Sequence, residues 1–471
     1  MKYAHAARPF FASLLTLGIA SCGAGTATGP SVGVSGGSGA ASAAPAPGTS
    51  SLPGGVRTPV PGSSATPVPA PAPTATPAGS GTLATIPFPP SPDPDTFYAQ
   101  PSPFPNEPPG TILNSRMVTY APDGVTMSNA AWQLKFVSRD QNGFPIAAVA
   151  TVVKPLVAPS GPPNLFLEAF AEDSLGDQCA PSHAVTGSTA DTNANLENAV
   201  PLTGLTSQSW TVVYPDFEGP YSEYSVNPLG GHITLDSIRA AEQFSPLGLN
   251  AKTSVALNGY SGGAEAVSWA ATLQHSYAPN LNIVGISSGG TPADLQGITT
   301  NIDTNTVANA AFFDIIFMSG VGVNRGYPQF ATPILNAKGV AAAEAMVNGC
   351  TGDDSNGSSG PTGTFPDYIT TLTAPATLAV YQLDGLPQAG EPPVTDMFVY
   401  HSQTDELIPI AGADAMVKAW CAEGAHIAYY RALSGDHIST EAINAPFVIA
   451  YLNASFSGTT PVYAPTTSVC N

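Results

Sequence analysis

The spacing of apolar residues indicates a sheet that begins with a hairpin. Apolar and polar positions alternate over residues 132–137, an Asn-Gly turn follows, and an apolar run returns over residues 146–153. Alternating runs joined by an Asn-Gly turn are typical of antiparallel strands. We therefore predict an antiparallel pair at the start of the sheet.

Farther along the chain, short apolar runs alternate with segments of helical period. The runs that predict buried strands are 164–170, 210–214, 253–258, 282–286, 397–401 and 426–430. The segments that predict helices are 232–244, 264–273 and 412–423. Strands that alternate with helices are typical of a parallel sheet covered by helices. The pattern thus predicts an α/β fold with a mostly parallel central sheet.

This alternation is interrupted between residues 289 and 393. Residues 312–318 and 341–347 have helical patterns, and glycine- and serine-rich loops such as 351–363 lie around them. Apolar helices inserted between two core segments are typical of a lid over an apolar pocket. We predict a mainly helical cap here; the alternative is a looped segment that only packs on the sheet.

The first residues resemble a bacterial lipoprotein signal. Residues 1–8 are weakly basic, residues 10–20 are apolar, and Ile-Ala-Ser-Cys ends at Cys22. The apolar stretch is too short to span a membrane. We predict a signal peptide over residues 1–21 and acylation of Cys22, which would anchor the protein to the cell envelope. The alternative is ordinary cleavage near residues 20–24 and a freely secreted protein.

Residues 22–92 have the composition of a tether. They consist mainly of Gly, Ser, Ala, Thr and Pro, and they account for part of the 48 prolines and 47 glycines of the chain. Such sequences favour extended conformations and cannot bury a core. We predict a disordered tether between the anchor and the folded unit.

Charge and cysteine content exclude some functions. The 471-residue chain has 33 acidic and 13 basic residues, which argues against binding to nucleic acid. Beyond Cys22, an even number of cysteines in an exported chain predicts two disulfides, with three possible pairings of Cys179, Cys350, Cys421 and Cys470. No Cys-x-x-Cys spacing suggests a metal, so we expect neither a metal site nor a cofactor.

The pentapeptide Gly-Tyr-Ser-Gly-Gly at residues 259–263 lies between a predicted strand and a predicted helix. A Gly-x-Ser-x-Gly in this context is a nucleophile elbow, where flanking glycines leave room for a sharp turn. It makes Ser261 the candidate nucleophile, and the backbone amide of Gly262 a candidate donor to the oxyanion. The alternative is a glycine-rich turn with an incidental serine.

The candidate acid and base follow in the order found in α/β-hydrolases. Asp405 comes at the end of a predicted strand, and His437 lies in a later glycine-containing loop with room between them for one helix and one strand. Asp436 and Glu406 are rival acids. Asp436 adjoins the histidine and would reach its Nδ1 poorly, and Glu406 is one position off the strand end.

Of the seven histidines, only His437 follows the acid in such a loop. The other six lie in the leader, inside predicted strands, at a helix end or before the nucleophile: His5, His401, His426, His275, His183 and His232. A histidine inside an apolar strand is more often a core residue than a catalytic base. We therefore predict the triad Ser261, Asp405 and His437.

Six segments together resemble the secretory lipase family, the lipase-A-like α/β-hydrolases. They are Cys-Ala-Pro-Ser at 179–182, Pro-Asp-Phe-Glu-Gly at 215–219, the pentapeptide at 259–263, Gly-Gly-Thr-Pro-Ala-Asp-Leu at 289–295, Thr-Asp-Glu-Leu-Ile-Pro at 404–409 and Gly-Asp-His at 435–437. The resemblance implies a hydrolase core over 93–294 and 396–471, with a cap over 295–395.

The resemblance also implies residue roles. The aspartate of the Pro-Asp-x-Glu-Gly stretch, Asp216, is expected to help build the oxyanion hole with Gly262. The implied disulfides join Cys179 to Cys350 and Cys421 to Cys470. The implied activity is hydrolysis of carboxylic esters, acylglycerols above all, through an acyl-enzyme. The alternatives are an esterase or a peptidase or amidase of the same fold, or a non-catalytic surface binding protein.

Overall fold

The computed structural model describes residues 86–188, 197–351, 360–386, 392–461, 463 and 467–470. The signal peptide, Cys22 and the tether up to residue 85 lie outside the described residues, as does most of the glycine- and serine-rich loop near residue 355.

Within the described residues, ten strands form one sheet. They are β1 (Ile112–Thr119), β2 (Ala130–Arg139), β3 (Pro145–Val153), β4 (Asn164–Ala169), β5 (Thr211–Pro215), β6 (Ser254–Tyr260), β7 (Ile283–Gly289), β8 (Met397–Ser402), β9 (Ile427–Ala432) and β10 (Ser468–Cys470). Their order across the sheet is β1-β2-β3-β5-β4-β6-β7-β8-β9-β10. Strands β4 to β9 run parallel to one another, and β1 to β3 and β10 pair antiparallel to their neighbours. The sheet is mixed and mostly parallel, as the sequence predicts.

The predicted hairpin is β2 with β3. Its register pairs Trp132 with Val152 and Arg139 with Pro145. The turn is closed by Asp140, whose Oδ1 accepts the backbone amides of Asn142 (2.9 Å) and Phe144 (2.8 Å). Gly143 has a φ of 83°, a conformation that glycine adopts without a steric penalty.

Eleven α-helices are assigned within the described residues. They are α1 (Pro181–Ala184), α2 (Ala199–Thr203), α3 (Asn227–Gln243), α4 (Gly262–Tyr277), α5 (Leu295–Thr304), α6 (Thr306–Gly326), α7 (Ala337–Ala345), α8 (Phe365–Tyr368), α9 (Pro375–Asp384), α10 (Ile410–Ala422) and α11 (His437–Ser457). Helices α3, α4 and α10 cover one face of the sheet, and α1, α2 and α11 cover the other. Parallel strands buried on both faces are strongly apolar, which explains the continuous runs in the sequence.

Helices α5 to α9 form the predicted insertion between β7 and β8. Asp294 caps α5 by accepting the amide of Gly297 at 2.9 Å. Aromatic rings hold the helices together; Phe313 of α6 packs on Phe365 with ring centroids 5.0 Å apart. Helix α6 is also the one described helix that is long and apolar enough to cross a membrane, and 39% of its apolar stretch is buried in this structure.

Three details differ from the sequence-based expectations. The folded unit begins before residue 93, because Ile86 is buried and Phe88 packs against the core. His426 precedes β9 instead of lying within it, and its side chain is half-exposed. His437 begins helix α11 instead of lying in a loop, since Asp436 caps that helix by accepting the amide of Ser439 at 2.6 Å.

Candidate active site

Ser261 occupies a strained turn between β6 and α4. Its φ of 51° and ψ of −123° lie outside the regions that non-glycine residues favour. A Cβ on Gly259 would collide with the carbonyl of Gly263, and a Cβ on Gly263 would collide with the carbonyl of Ala169. These two positions therefore require glycine, and the turn has the geometry of a nucleophile elbow.

The structure brings Ser261, His437 and Asp405 into one hydrogen-bonded chain. His437 Nε2 lies 2.9 Å from Ser261 Oγ, and His437 Nδ1 lies 2.8 Å from Asp405 Oδ2. The side chains of His437 and Asp405 are almost fully buried. A serine, a histidine and an acid at these distances can generate a nucleophile by transfer of the serine proton to Nε2.

Asp405 is held as a carboxylate. Burial by itself would raise the pKa of Asp405, but His437 and His401 outweigh burial, so its pKa lies well below its usual range. Its Oδ1 also accepts the backbone amides of Leu407 (3.1 Å) and Ile408 (2.7 Å). In turn, the carboxylate outweighs the effect of burial on His437 and raises the pKa of that imidazole.

The rival acids have other partners. Glu406 Oε2 accepts the backbone amide of His437 at 3.1 Å, so Glu406 orients the start of α11 and not the imidazole ring. Asp436 is the N-cap of the same helix. The phenol of Tyr260 donates to the carbonyl of His437 at 2.5 Å, a contact that the sequence does not predict.

The expectation that Asp216 lies at the oxyanion hole needs correction. Its carboxylate accepts the amide and the hydroxyl of Ser182 at 2.8 and 2.6 Å. It faces a second cavity, which it shares with Tyr98 and Asp177. The reason is topological: Asp216 follows β5, and β4 separates β5 from β6, the strand that carries Ser261.

Asp173, which the sequence reasoning missed, lies beside the elbow instead. It follows β4, the direct neighbour of β6, and its side chain faces the same cavity as Ser261 and Gly262. Its Oδ1 is so close to Gly262 that a Cβ there would overlap it, and this oxygen has no hydrogen-bond partner among the described residues. The signal available in the sequence was its place just after a predicted strand.

Burial raises the pKa of Asp173 to about 6, although His437 and a hydrogen bond from Tyr224 act in the opposite direction. Its carboxyl group can therefore hold a proton at weakly acidic pH and donate it in a hydrogen bond. Gly262 is the first residue of α4, where backbone amides have no acceptor within the helix. Together, the Asp173 carboxyl and the Gly262 amide supply two donors beside Ser261.

A narrow apolar cavity leads from Ser261 into the cap. Its internal volume is about 80 Å³, and most of its wall comes from the cap, residues 295–395. The apolar lining includes Ile298, Ile315, Phe317, Phe330, Ile334 and Phe365. Such a cavity accepts an unbranched hydrocarbon better than a charged or peptidic group.

The described cysteines form two disulfides. Cys179, which follows β4, is joined to Cys350 of the cap, and Cys421 at the end of α10 is joined to Cys470 of β10. This is the pairing that the family resemblance implies. Within the described ranges, no group of three or more His, Cys, Asp or Glu side chains is arranged to hold a metal ion.

The chain is similar to proteins that are named lipases. A family model described as secretory lipase matches residues 185–464. The secreted triacylglycerol lipase LIP5 of Malassezia globosa is 33% identical over 79% of this chain and 80% of its own length. Lipase 10 of Candida albicans is 31% identical over 78% of this chain and 82% of its own length.

Solved structures with the same fold include lipase A of Candida antarctica in its closed state. It superimposes with a TM-score of 0.70 at 27% identity and covers 80% of this chain and 90% of its own. An esterase from Xanthomonas oryzae matches with a TM-score of 0.58 at 16% identity over 75% of this chain and all of its own, which supports the fold alone.

Proposed function

The chain belongs to the secretory lipase family, and from this premise we propose that it hydrolyses acylglycerol esters with Ser261 as nucleophile, His437 as general base and Asp405 as the orienting acid. The observation that carries the proposal is the hydrogen-bonded chain of these three residues at the mouth of an apolar cavity. Hydrolysis of a carboxylic ester needs no cofactor in this scheme.

The reaction proceeds through an acyl-enzyme. Ser261 Oγ attacks the ester carbonyl while His437 Nε2 takes the hydroxyl proton, and Asp405 keeps the other ring nitrogen protonated. The tetrahedral intermediate collapses as His437 returns the proton to the leaving alcohol oxygen. A water molecule, activated by the same nitrogen, then attacks the acyl-enzyme and releases the fatty acid.

Two donors stabilise the negative oxygen of each tetrahedral intermediate. The backbone amide of Gly262 is one, and the protonated carboxyl group of Asp173 is the other. The burial of Asp173, its free Oδ1 and its raised pKa support this role, which the sequence resemblance had assigned to Asp216. Donors that are already oriented in a water-poor site stabilise an oxyanion strongly, because no reorganisation is needed during the reaction.

The substrate preference follows from the cavity. Its apolar wall fits the acyl chain, and the alcohol portion of the ester would remain on the solvent side of Ser261. A peptidase or amidase of this fold is less well supported. The cavity wall is mostly apolar and offers few polar partners for a peptide. A purely binding role is disfavoured by the intact triad geometry.

A substrate panel tests the proposal. Emulsified triacylglycerols, p-nitrophenyl esters of increasing chain length and matched p-nitroanilides of the same acids are assayed side by side. We expect turnover of the triacylglycerols and of the esters, with little on the anilides. Faster cleavage of anilides than of esters, or no turnover of any ester, would contradict it.

The relatives named above as secreted are consistent with export of this chain. Beyond export, Cys22 is proposed to carry lipid and residues 22–85 to form a tether, on the strength of the lipobox-like sequence and the composition that follows it. The catalytic unit then comprises residues 86–294 and 396–471, and residues 295–395 form the cap.

A further inference from the structure

A short piece of the cap runs alongside the loop that carries Asp173. The amide of Leu175 donates to the carbonyl of Gly349 at 2.8 Å, and the amide of Thr351 donates to Ser174 Oγ at 3.1 Å. The hydroxyl of Thr351 donates to the backbone carbonyl of Asp173. Thr351 is 9% exposed, so these contacts are largely shielded from water.

The same cap piece is fastened to the core by independent contacts. Cys350, the neighbour of Thr351, forms the disulfide with Cys179. The buried guanidinium of Arg325 donates to the carbonyl of Val347 at 2.8 Å and also to that of Leu175 at 2.8 Å, so it joins the cap piece to the Asp173 loop. Residues 347–351 are therefore held in place relative to this loop.

Asp173 needs such support because its backbone is unfavourable. Its φ is 44°, in the left-handed region that non-glycine residues rarely adopt. A residue keeps this conformation only where its surroundings determine it. The peptide carbonyl of Asp173 is fixed by Thr351, and its side chain is then directed towards Gly262.

We propose that Thr351 is a positioning residue of the oxyanion hole: through its hydroxyl, the cap fixes the peptide of Asp173 and thereby the direction of the Asp173 carboxyl. This inference rests on the proposed role of Asp173. It makes one edge of the cap a part of the catalytic apparatus in addition to a cover for the acyl chain. Thr351 itself does not touch the reacting atoms.

Substitution of Thr351 separates the hydroxyl from the rest of the side chain. Thr351→Val keeps the shape but removes the donor, and we expect kcat to fall about tenfold to a hundredfold with little change in KM, because a small displacement of a catalytic group lowers the rate steeply. Thr351→Ser keeps the donor and should retain most of the wild-type kcat. Thr370→Val, which removes a hydroxyl that donates to the carbonyl of Ile334, is the control at an exposed threonine of the cap and should leave kcat unchanged.

A double-mutant cycle distinguishes positioning from a general loss of structure. If Thr351 acts through Asp173, then Thr351→Val should cost less than about twofold once Asp173→Ala is already present. Each kcat is referred to the folded enzyme in the same sample, measured by tryptophan fluorescence. The inference would be overturned if the losses of kcat in the two single variants multiplied in the double variant. It would also be overturned by a wild-type kcat in Thr351→Val, or by a low kcat in Thr351→Ser.

The outcome is separable from the fate of the proposed function. Should the wild-type enzyme hydrolyse none of the esters in the substrate panel, the proposed function itself is wrong. Should Ser261→Ala and Asp173→Ala lose activity while Thr351→Val does not, only the positioning role of Thr351 is wrong. Should Asp173→Ala keep the wild-type rate, the inference is wrong together with the role of Asp173, and the hydrolase function stands.

Discussion

Oδ1 of Asp173 occupies the space that a Cβ on Gly262 would need. This contact explains why position 262 is glycine: the carboxyl of one proposed oxyanion donor lies against the backbone of the other. The two proposed donors follow adjacent strands, β4 and β6, so the sheet itself sets their spacing.

Gly262→Ala tests this contact. The added methyl group should displace the Asp173 carboxyl, and loss of one oxyanion donor lowers kcat by about 10² to 10³. Gly161→Ala is the control, because a Cβ there meets no atom within 4 Å. Steady-state kinetics on a p-nitrophenyl ester measure the effect, and a wild-type rate in Gly262→Ala would show that Asp173 does not donate at this point.

The pH profile reports the proton on Asp173. The productive enzyme has a neutral His437 Nε2 and a protonated Asp173, whereas the pKa of His437 is raised and burial raises that of Asp173 only to about 6. At a pH below both pKa values, both groups are protonated and His437 cannot act as a base. At a pH above both pKa values, both groups have lost their protons and Asp173 can no longer donate. We therefore expect a bell-shaped dependence of kcat/KM on pH, with the one-proton form active.

Asp173→Asn should remove the alkaline limb of that profile. The amide of asparagine donates a hydrogen bond at every pH, so the profile should keep a single limb, in which kcat/KM rises with pH as His437 loses its proton. Measurement of kcat/KM across pH for both enzymes decides the point. An unchanged alkaline limb in Asp173→Asn would assign that limb to another group. Glu441 is then the first candidate, since burial raises its pKa to about 7.

Asp405 and Glu406 are adjacent but differ in what they contact. Asp405→Asn should lower kcat by about 10⁴, because the amide favours the wrong histidine tautomer. Glu406→Gln should cost much less, since its partner is the backbone amide of His437 and an amide oxygen can still accept that bond. Asp436→Asn should also lower kcat only slightly, because an asparagine at the N-cap can still accept the amide of Ser439. A larger loss in either of the last two variants would mean that Asp405 is not the orienting acid.

The lipid anchor is tested apart from catalysis. Mass spectrometry of the mature protein should find acylated Cys22 at its N-terminus, and Cys22→Ala should release the enzyme from membranes with kcat unchanged. One acyl chain binds membranes weakly, so several chains on the same residue are needed for stable attachment. A mature N-terminus at another residue, without lipid, would refute the anchor and leave the catalytic scheme intact.

Local patterns in the sequence predict much of this fold and part of its site. The elbow glycines, the apolar strands and the order of Ser261, Asp405 and His437 are visible because each depends on neighbouring residues. The choice between Asp216 and Asp173 is not local: it depends on β5 lying between β3 and β4, so that the earlier strand is the one beside Ser261. No spacing in the sequence records that order.

The beginning of the folded unit was hidden for a different reason. Residues near Phe88 have the proline-rich composition of the tether, yet Phe88 lines the apolar cavity beside Ser261 and its carbonyl accepts a hydrogen bond from Arg325 Nε at 2.9 Å. A single aromatic side chain held by a distant arginine leaves no periodic signal. Composition therefore placed the boundary at residue 92, a few residues too late.

The most direct test of the whole account is the hydrolysis of emulsified triacylglycerol by Ser261→Ala. Ser268→Ala, the same change at another buried serine of α4, is the control for the fold. We predict that Ser261→Ala lowers kcat by about 10⁶ with an unchanged unfolding temperature, since loss of the nucleophile disables the triad as a unit. A variant that keeps a tenth of the wild-type rate would contradict the assignment of Ser261 and with it the proposed mechanism.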